Sequence, residues 1–292
     1  MHQKLKTRTI SPIHIYTQAT WVYTSITLHD SSTERKMTKR LNYQQIGSGK
    51  DIILIHGLFG RLENLNMVAK VLSETYRVTS VDVRNHGDSF HDSVMDYPTM
   101  AQDVVDVMQH LNIDSAVILG HSMGGKIAME LALTSPERVE KLIVADIAPV
   151  EYPPHHNQII AGLKSIDLTA IKQRKDADKQ LAQYVDNTGV RQFLLRNLVS
   201  ENDQFSFKCS IENIDTNYPH IMKTYQGSNT YNAPTLFIKG ANSDYILPEH
   251  RGEIVRLFPQ SRARIIQGAG HWLHAEKTVA FNRSVESFLG SH

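Results

Sequence analysis

The residues of this chain best placed for covalent chemistry are Gly120-His121-Ser122-Met123-Gly124, a G-x-S-x-G run. An apolar stretch, Ala116 to Leu119, precedes it, and small and apolar residues from Met123 to Leu133 follow. In that strand, turn and helix context a serine becomes a nucleophile, because the strained turn projects its hydroxyl into a cleft. The glycines are needed where any bulk would collide with neighbouring backbone, and Gly125 adds room. The helix that follows points its positive end at a developing oxyanion. A serine hydroxyl is a poor nucleophile alone and needs a base within hydrogen-bond reach. Gly268-Ala269-Gly270-His271-Trp272, a glycine-bearing loop after the last strand pattern, supplies His271. His274 is the rival; three residues on, in the first turn of the final helix, it reads as a surface or packing histidine.

The base in turn needs an acid, and the order along the chain is serine, acid, histidine. Two aspartates qualify. Asp146 ends the strand after the nucleophile helix, in Val144-Ala145-Asp146-Ile147-Ala148-Pro149, and Asp244 follows the next strand, in Gly240-Ala241-Asn242-Ser243-Asp244. Both strand ends face one cleft, since sites in open α/β sheets gather at the carboxyl ends of the strands. The residues alone leave the choice open. Asp146 could instead tie down the segment that follows it, and Asp244 could cap a loop or helix ahead of Pro248.

His56-Gly57-Leu58-Phe59-Gly60 follows another strand pattern and occupies the place of an oxyanion loop. The backbone N–H groups of Leu58 and Met123 are therefore the expected oxyanion donors. His56 reads as a structural histidine of that loop. Asp82 to Ser89 reads as a buried Asp and Arg network beneath the cleft, and Asp88, Lys126 and Glu276 read as structural too.

These groups require elements to hold them. Asp51 to Ile55, Arg77 to Val81, Ala116 to Leu119, Lys141 to Ala145, Thr235 to Ile238 and Ala263 to Ile266 are short β-branched runs, apolar on both faces. Such strands belong to a mainly parallel sheet covered by helices on both sides. Asn64 to Leu72, Met100 to Leu111, Met123 to Leu133, Pro248 to Phe258 and Ala275 to Leu289 carry apolar residues at helical spacing. Roughly ninety residues separate the strands ending near Asp146 and starting near Thr235, far beyond an ordinary αβ connection. Helical patterns fill that stretch, at His155 to Ile166, Asp176 to Tyr184, Val190 to Leu198 and Ile214 to Tyr225. It reads as a helical cap, with Phe193, Leu194, Phe205 and Tyr218 lining an acyl pocket or forming the cap's own core. The expected division is a core of residues 37–148 and 232–292 with a cap of residues 149–231.

Lys plus Arg number 31 against 30 Asp plus Glu, a net charge of +1, so no surface is built to neutralise nucleic acid or anionic lipid. The expected partner is a small molecule. A single cysteine, Cys209, excludes an internal disulfide framework and fits a reducing, cytoplasmic compartment. No histidine pair stands in HExxH spacing, so no metal is expected. Residues 1–36 lack an unbroken apolar core and are too polar to span a bilayer. They read as an extension preceding a natural start at Met37, dispensable for activity and solubility.

Taken in order, HGLFG (from His56), DVRNHGDS (from Asp82), GHSMGGK (from Gly120), DIAPVEY (from Asp146) and GAGHWLHAEK (from Gly268) resemble the YbfF-type esterases of the α/β-hydrolase superfamily. The likeness runs from about Leu41 to Leu289. It implies the α/β-hydrolase fold and hydrolysis of carboxylic esters and acyl thioesters, acyl-CoA esters included, without a cofactor. It also implies that the triad acid is the aspartate of the DIAP motif, here Asp146. This chain departs from its relatives by also holding Asp244, and by Thr278 where proline is common. Dehalogenases and epoxide hydrolases of this fold carry aspartate where Ser122 stands. A cofactorless lyase or haloperoxidase on the same triad, or a ligand-binding pseudoenzyme, remain the alternatives.

Overall fold

The computed structural model describes residues 39–290, so the expected N-terminal extension lies outside the described residues. Seven strands form one sheet: β1 (Tyr43–Ile46), β2 (Lys50–Ile55), β3 (Tyr76–Val81), β4 (Ala116–His121), β5 (Val139–Ala145), β8 (Thr235–Gly240) and β9 (Ser261–Ile266). Their order is β1-β3-β2-β4-β5-β8-β9, with only the β1–β3 pairing antiparallel. β4 is buried at every residue, and the apolar runs of the central strands feed two cores at once, successive side chains pointing to opposite faces. Ile53, Ile55 and Ile118 pack on one side with α2 (Tyr97–His110) and α3 (Met123–Thr134). Ile52, Leu54 and Leu119 pack on the other with α1 (Asn66–Leu72) and α10 (Thr278–Leu289).

The connection from β5 to β8 carries α4 (Asn157–Lys164), α5 (Arg174–Leu181), α6 (Thr188–Leu194) and α7 (Ile211–Met222). It is not helical throughout: β6 (Leu198–Glu201) and β7 (Gln204–Phe207) form an antiparallel hairpin within it. Asn202 and Asp203 turn that hairpin, both with positive φ, the conformation a two-residue loop between twisted strands demands. Ile160, Leu163, Leu194 and Ile214 of this connection pack into the same core as α2 and α3. After β8 come α8 (Arg251–Leu257), β9 and the short helix α9 (Leu273–Glu276), which holds His274 and ends before α10 begins at Thr278.

The chain moves from β2 outward to β3 and then back across β2 to β4. The loops after β2 and β4 therefore diverge at a switch point of the sheet, where a crevice forms at the strand ends.

Candidate active site

Ser122 sits between β4 and α3 with φ 54° and ψ −121°, a backbone conformation that side-chain-bearing residues rarely adopt. Its neighbours make that possible. A Cβ on Gly120 would lie 2.0 Å from the Gly124 carbonyl oxygen, and one on Gly124 would lie 2.3 Å from that of Ile55. The Ser122 N–H donates to the Ala145 carbonyl at 2.9 Å, which ties the turn to β5.

His271 Nε2 lies 3.0 Å from Ser122 Oγ, and its Nδ1 lies 2.8 Å from Asp146 Oδ2. A carboxylate can only accept, so Nδ1 carries the ring proton and Nε2 faces the hydroxyl as a bare acceptor. Asp146 is fully buried and itself left-handed, with φ 53°. That turn aims its carboxylate across β8, where Oδ1 accepts from Gly240 N–H at 2.9 Å and Oδ2 accepts from the Ser243 hydroxyl. Asp244 is exposed to solvent. The loop that bears it approaches the histidine through Ser243 and Tyr245 instead. Tyr245 stacks on the His271 ring at 3.8 Å between centroids and 17° between planes. From the opposite direction, His121 Nε2 donates to the His271 carbonyl at 2.8 Å. No sequence signal marked Ser243 or Tyr245, since neither residue type nor spacing shows what a loop faces.

The Leu58 loop crosses close to the serine: a Cβ on Gly57 would lie 3.2 Å from Ser122 Cβ. Met123 opens α3, so its N–H has no partner within the helix. Two buried histidines pin the loop. His56 Nδ1 donates to Gly57 O at 2.8 Å while Nε2 accepts from Val83 N–H at 3.0 Å. His86 Nε2 accepts from Phe59 N–H at 3.0 Å. Burial pushes their pKa values down to about 4 and about 3, so both are neutral. Asp82 accepts from the N–H groups of Leu62 and Asp88, and Arg84 pairs bidentately with Asp103 at 2.6 and 2.7 Å. Asp88 is half-exposed and pairs with Lys208. Glu276 accepts from Gly270 and Trp272 N–H groups, bracing the loop around His271. Lys126, pushed down to about 7 by burial, donates to the carbonyls of Met222 and Lys223 at the end of α7. His274 is buried rather than on the surface, held neutral with a pKa of about 4 by burial, and packs against His121 and Phe281.

Above the serine, the connection contributes a hydrogen-bonded chain. Tyr218 Oη accepts from the N–H groups of His155 and His156, which leaves its own proton for His156 Nδ1 at 2.9 Å. His156 Nε2–H then faces Tyr245 Oη at 3.3 Å, and Tyr245 donates to His155 Nε2 at 2.7 Å. His155 Nδ1–H ends the chain on the Pro153 carbonyl. Phe193 and Leu194 line a cavity of about 250 Å³ that opens on Ser122. Tyr218 and Phe205 are not on its wall; they pack within the connection. Among the described residues no group of three or more His, Cys, Asp or Glu side chains could hold a metal ion, and no helix is long and apolar enough to cross a membrane.

A doubly flanked sheet with an elbow serine at its switch point is what the α/β-hydrolase fold family shares, and the model of that family matches residues 51–278. The chain belongs to this family, in its YbfF-type esterase branch, and acts on ester bonds. It is 40% identical to "Esterase YbfF" of Escherichia coli K12 over 239 residues, covering 82% of this chain and 92% of that protein. It is 42% identical to the mouse "sn-1-specific diacylglycerol lipase ABHD11" over 246 residues, covering 82% of this chain and 80% of the other. A solved "Marine microorganism esterase" superposes with a TM-score of 0.84 at 39% identity, covering 86% of this chain and all of that one.

Proposed function

We propose that the protein hydrolyses carboxylic esters or acyl thioesters, of the acyl-CoA type, through an acyl-enzyme on Ser122. The observation that carries this reading is the unbroken line Ser122, His271, Asp146, with both contacts at hydrogen-bond distance. His271 takes the hydroxyl proton as Oγ attacks the carbonyl carbon. The oxyanion is received by the N–H groups of Leu58 and Met123, each donor lowering the barrier by about 3 kcal/mol. His271 then hands its proton to the departing alkoxide or thiolate, and the carbon–oxygen or carbon–sulfur bond breaks. Water activated by the same ring releases the acid. Asp146 holds the tautomer and stabilises the imidazolium. Residues 149–231 serve as a cap over the serine, a role supported by Phe193 and Leu194 on the cavity wall. We place the protein in the cytosol, on the support of its single, buried cysteine.

Hydrolysis of p-nitrophenyl butyrate and a short acyl-CoA by wild type and Ser122→Ala tests the scheme. Turnover is expected to fall by about 10⁴-fold or more in the variant, with loss of fluorophosphonate labelling. Near-full activity in Ser122→Ala would sink the mechanism, and no turnover of either substrate by wild type would favour a lyase or a binding protein.

A further inference from the structure

Ser122 faces two spaces of very different size. One is the cavity of about 250 Å³; the other, between Ser122 and α7, is about 20 Å³. Leu58, His155, His156 and Tyr245 border both and stand between them. His271 and Trp272 border only the large one, while Met123, Lys126 and Met222 border only the small one.

This asymmetry assigns the substrate's two halves. The tetrahedral carbon on Oγ has three other directions. One, the oxyanion, points to the Leu58 and Met123 N–H groups. The leaving group must take its proton from His271 Nε2, so it lies on the side His271 borders, in the large cavity. Only the small space remains for the acyl chain. We propose, building on the Ser122 acyl-enzyme reading, that the protein removes short acyl groups, of two or three carbons, from bulky alcohols or thiols.

The sizes fit that assignment. A site for one water needs roughly 10–15 Å³, so the small space admits only one or two groups beyond the carbonyl carbon. Its floor is also tied shut. Tyr97 Oη donates to the Ile221 carbonyl at 2.6 Å, and Lys126 holds the carbonyls of Met222 and Lys223, joining α2 and α3 to the end of α7. A longer chain would have to break these buried bonds to enter. The large cavity has room for a bulky partner against Leu65, Ile159, Val190, Phe193 and Trp272. Phe193 and Leu194 therefore contact the leaving group, not the acyl chain.

The test is kcat/KM of the full chain on p-nitrophenyl acetate, butyrate, octanoate and laurate, and on ethyl and naphthyl esters of one short acid. Wild type is expected to act on octanoate at least about 100-fold more slowly than on acetate. Met222→Ala, at a half-buried position on the small side, is expected to move the optimum to longer acyl chains. Phe193→Ala is expected to keep the acyl order and to erode the preference for naphthyl over ethyl esters. A wild-type optimum at octanoate or laurate overturns the assignment, as does a shift of acyl optimum in Phe193→Ala. Either result with turnover still dependent on Ser122 leaves the acyl-enzyme reading standing, whereas activity retained in Ser122→Ala removes that reading itself.

Discussion

Asp146 receives three donors, the His271 ring, the Gly240 N–H and the Ser243 hydroxyl, and so holds the imidazole from a fixed rather than a swinging position. Replacing it with asparagine keeps the shape but offers an amide N–H toward Nδ1 and favours the wrong ring tautomer. Asp146→Asn is expected to lower kcat by about 10⁴-fold in an ester assay. Asp244→Asn, at an exposed position, is expected to stay within about twofold of wild type. The reverse ranking would make Asp244 the acid. Ser122 and His271 were readable because glycines and flanking element patterns mark both of their loops. The choice of acid was not readable from residue types. Asp146 reaches the histidine through its left-handed turn, a backbone angle that an aspartate does not advertise. Ser243 and Tyr245 were hidden for a related reason: their partners lie 97 and 26 residues away.

The elbow is an element built against its own backbone preference. A non-glycine residue held at φ 54°, ψ −121° stores about 1–3 kcal/mol, and glycine relieves it at an entropic cost of its own of about 0.5–1 kcal/mol. Ser122→Gly is therefore expected to be inactive yet more stable by about 1 kcal/mol, measured by urea denaturation; a loss of stability would show that the turn is unstrained. Strands that are apolar on both faces announced themselves, because a residue covered from two sides leaves no polar alternation. β1 did not, since three of its four residues are exposed at the sheet edge. The β6–β7 hairpin lies within a stretch whose apolar spacing is otherwise helical. Its Asn202-Asp203 pair between Val199 and Phe205 was the available signal, a two-residue turn rather than a helix interior.

Five histidines, His56, His86, His121, His156 and His274, have their pKa values lowered by burial, to about 4, 3, well below normal, 3 and 4 respectively. In the unfolded chain each titrates near about 6.5. Between that value and about 4 the unfolded state binds protons that the folded state refuses. Stability is therefore full above about pH 6.5 and drains as pH falls through that window, at up to roughly 1.4 kcal/mol per pH step for each histidine. A steep drop in the urea midpoint from pH 6.5 to 4.5 is expected. A flat midpoint across that range would mean that these rings are not buried in their neutral form. The most sensitive part of the molecule would be the site itself, since four of the five, His56, His121, His156 and His274, border its main cavity.

The unequal spaces on either side of Ser122 also carry a stereochemical consequence. A carbonyl whose two substituents each have only one place to go presents a single prochiral face to Oγ. A branch on the carbinol carbon of the alcohol then meets the walls of the large cavity at different distances in the two mirror forms, so a racemic secondary-alcohol ester would be consumed one enantiomer first.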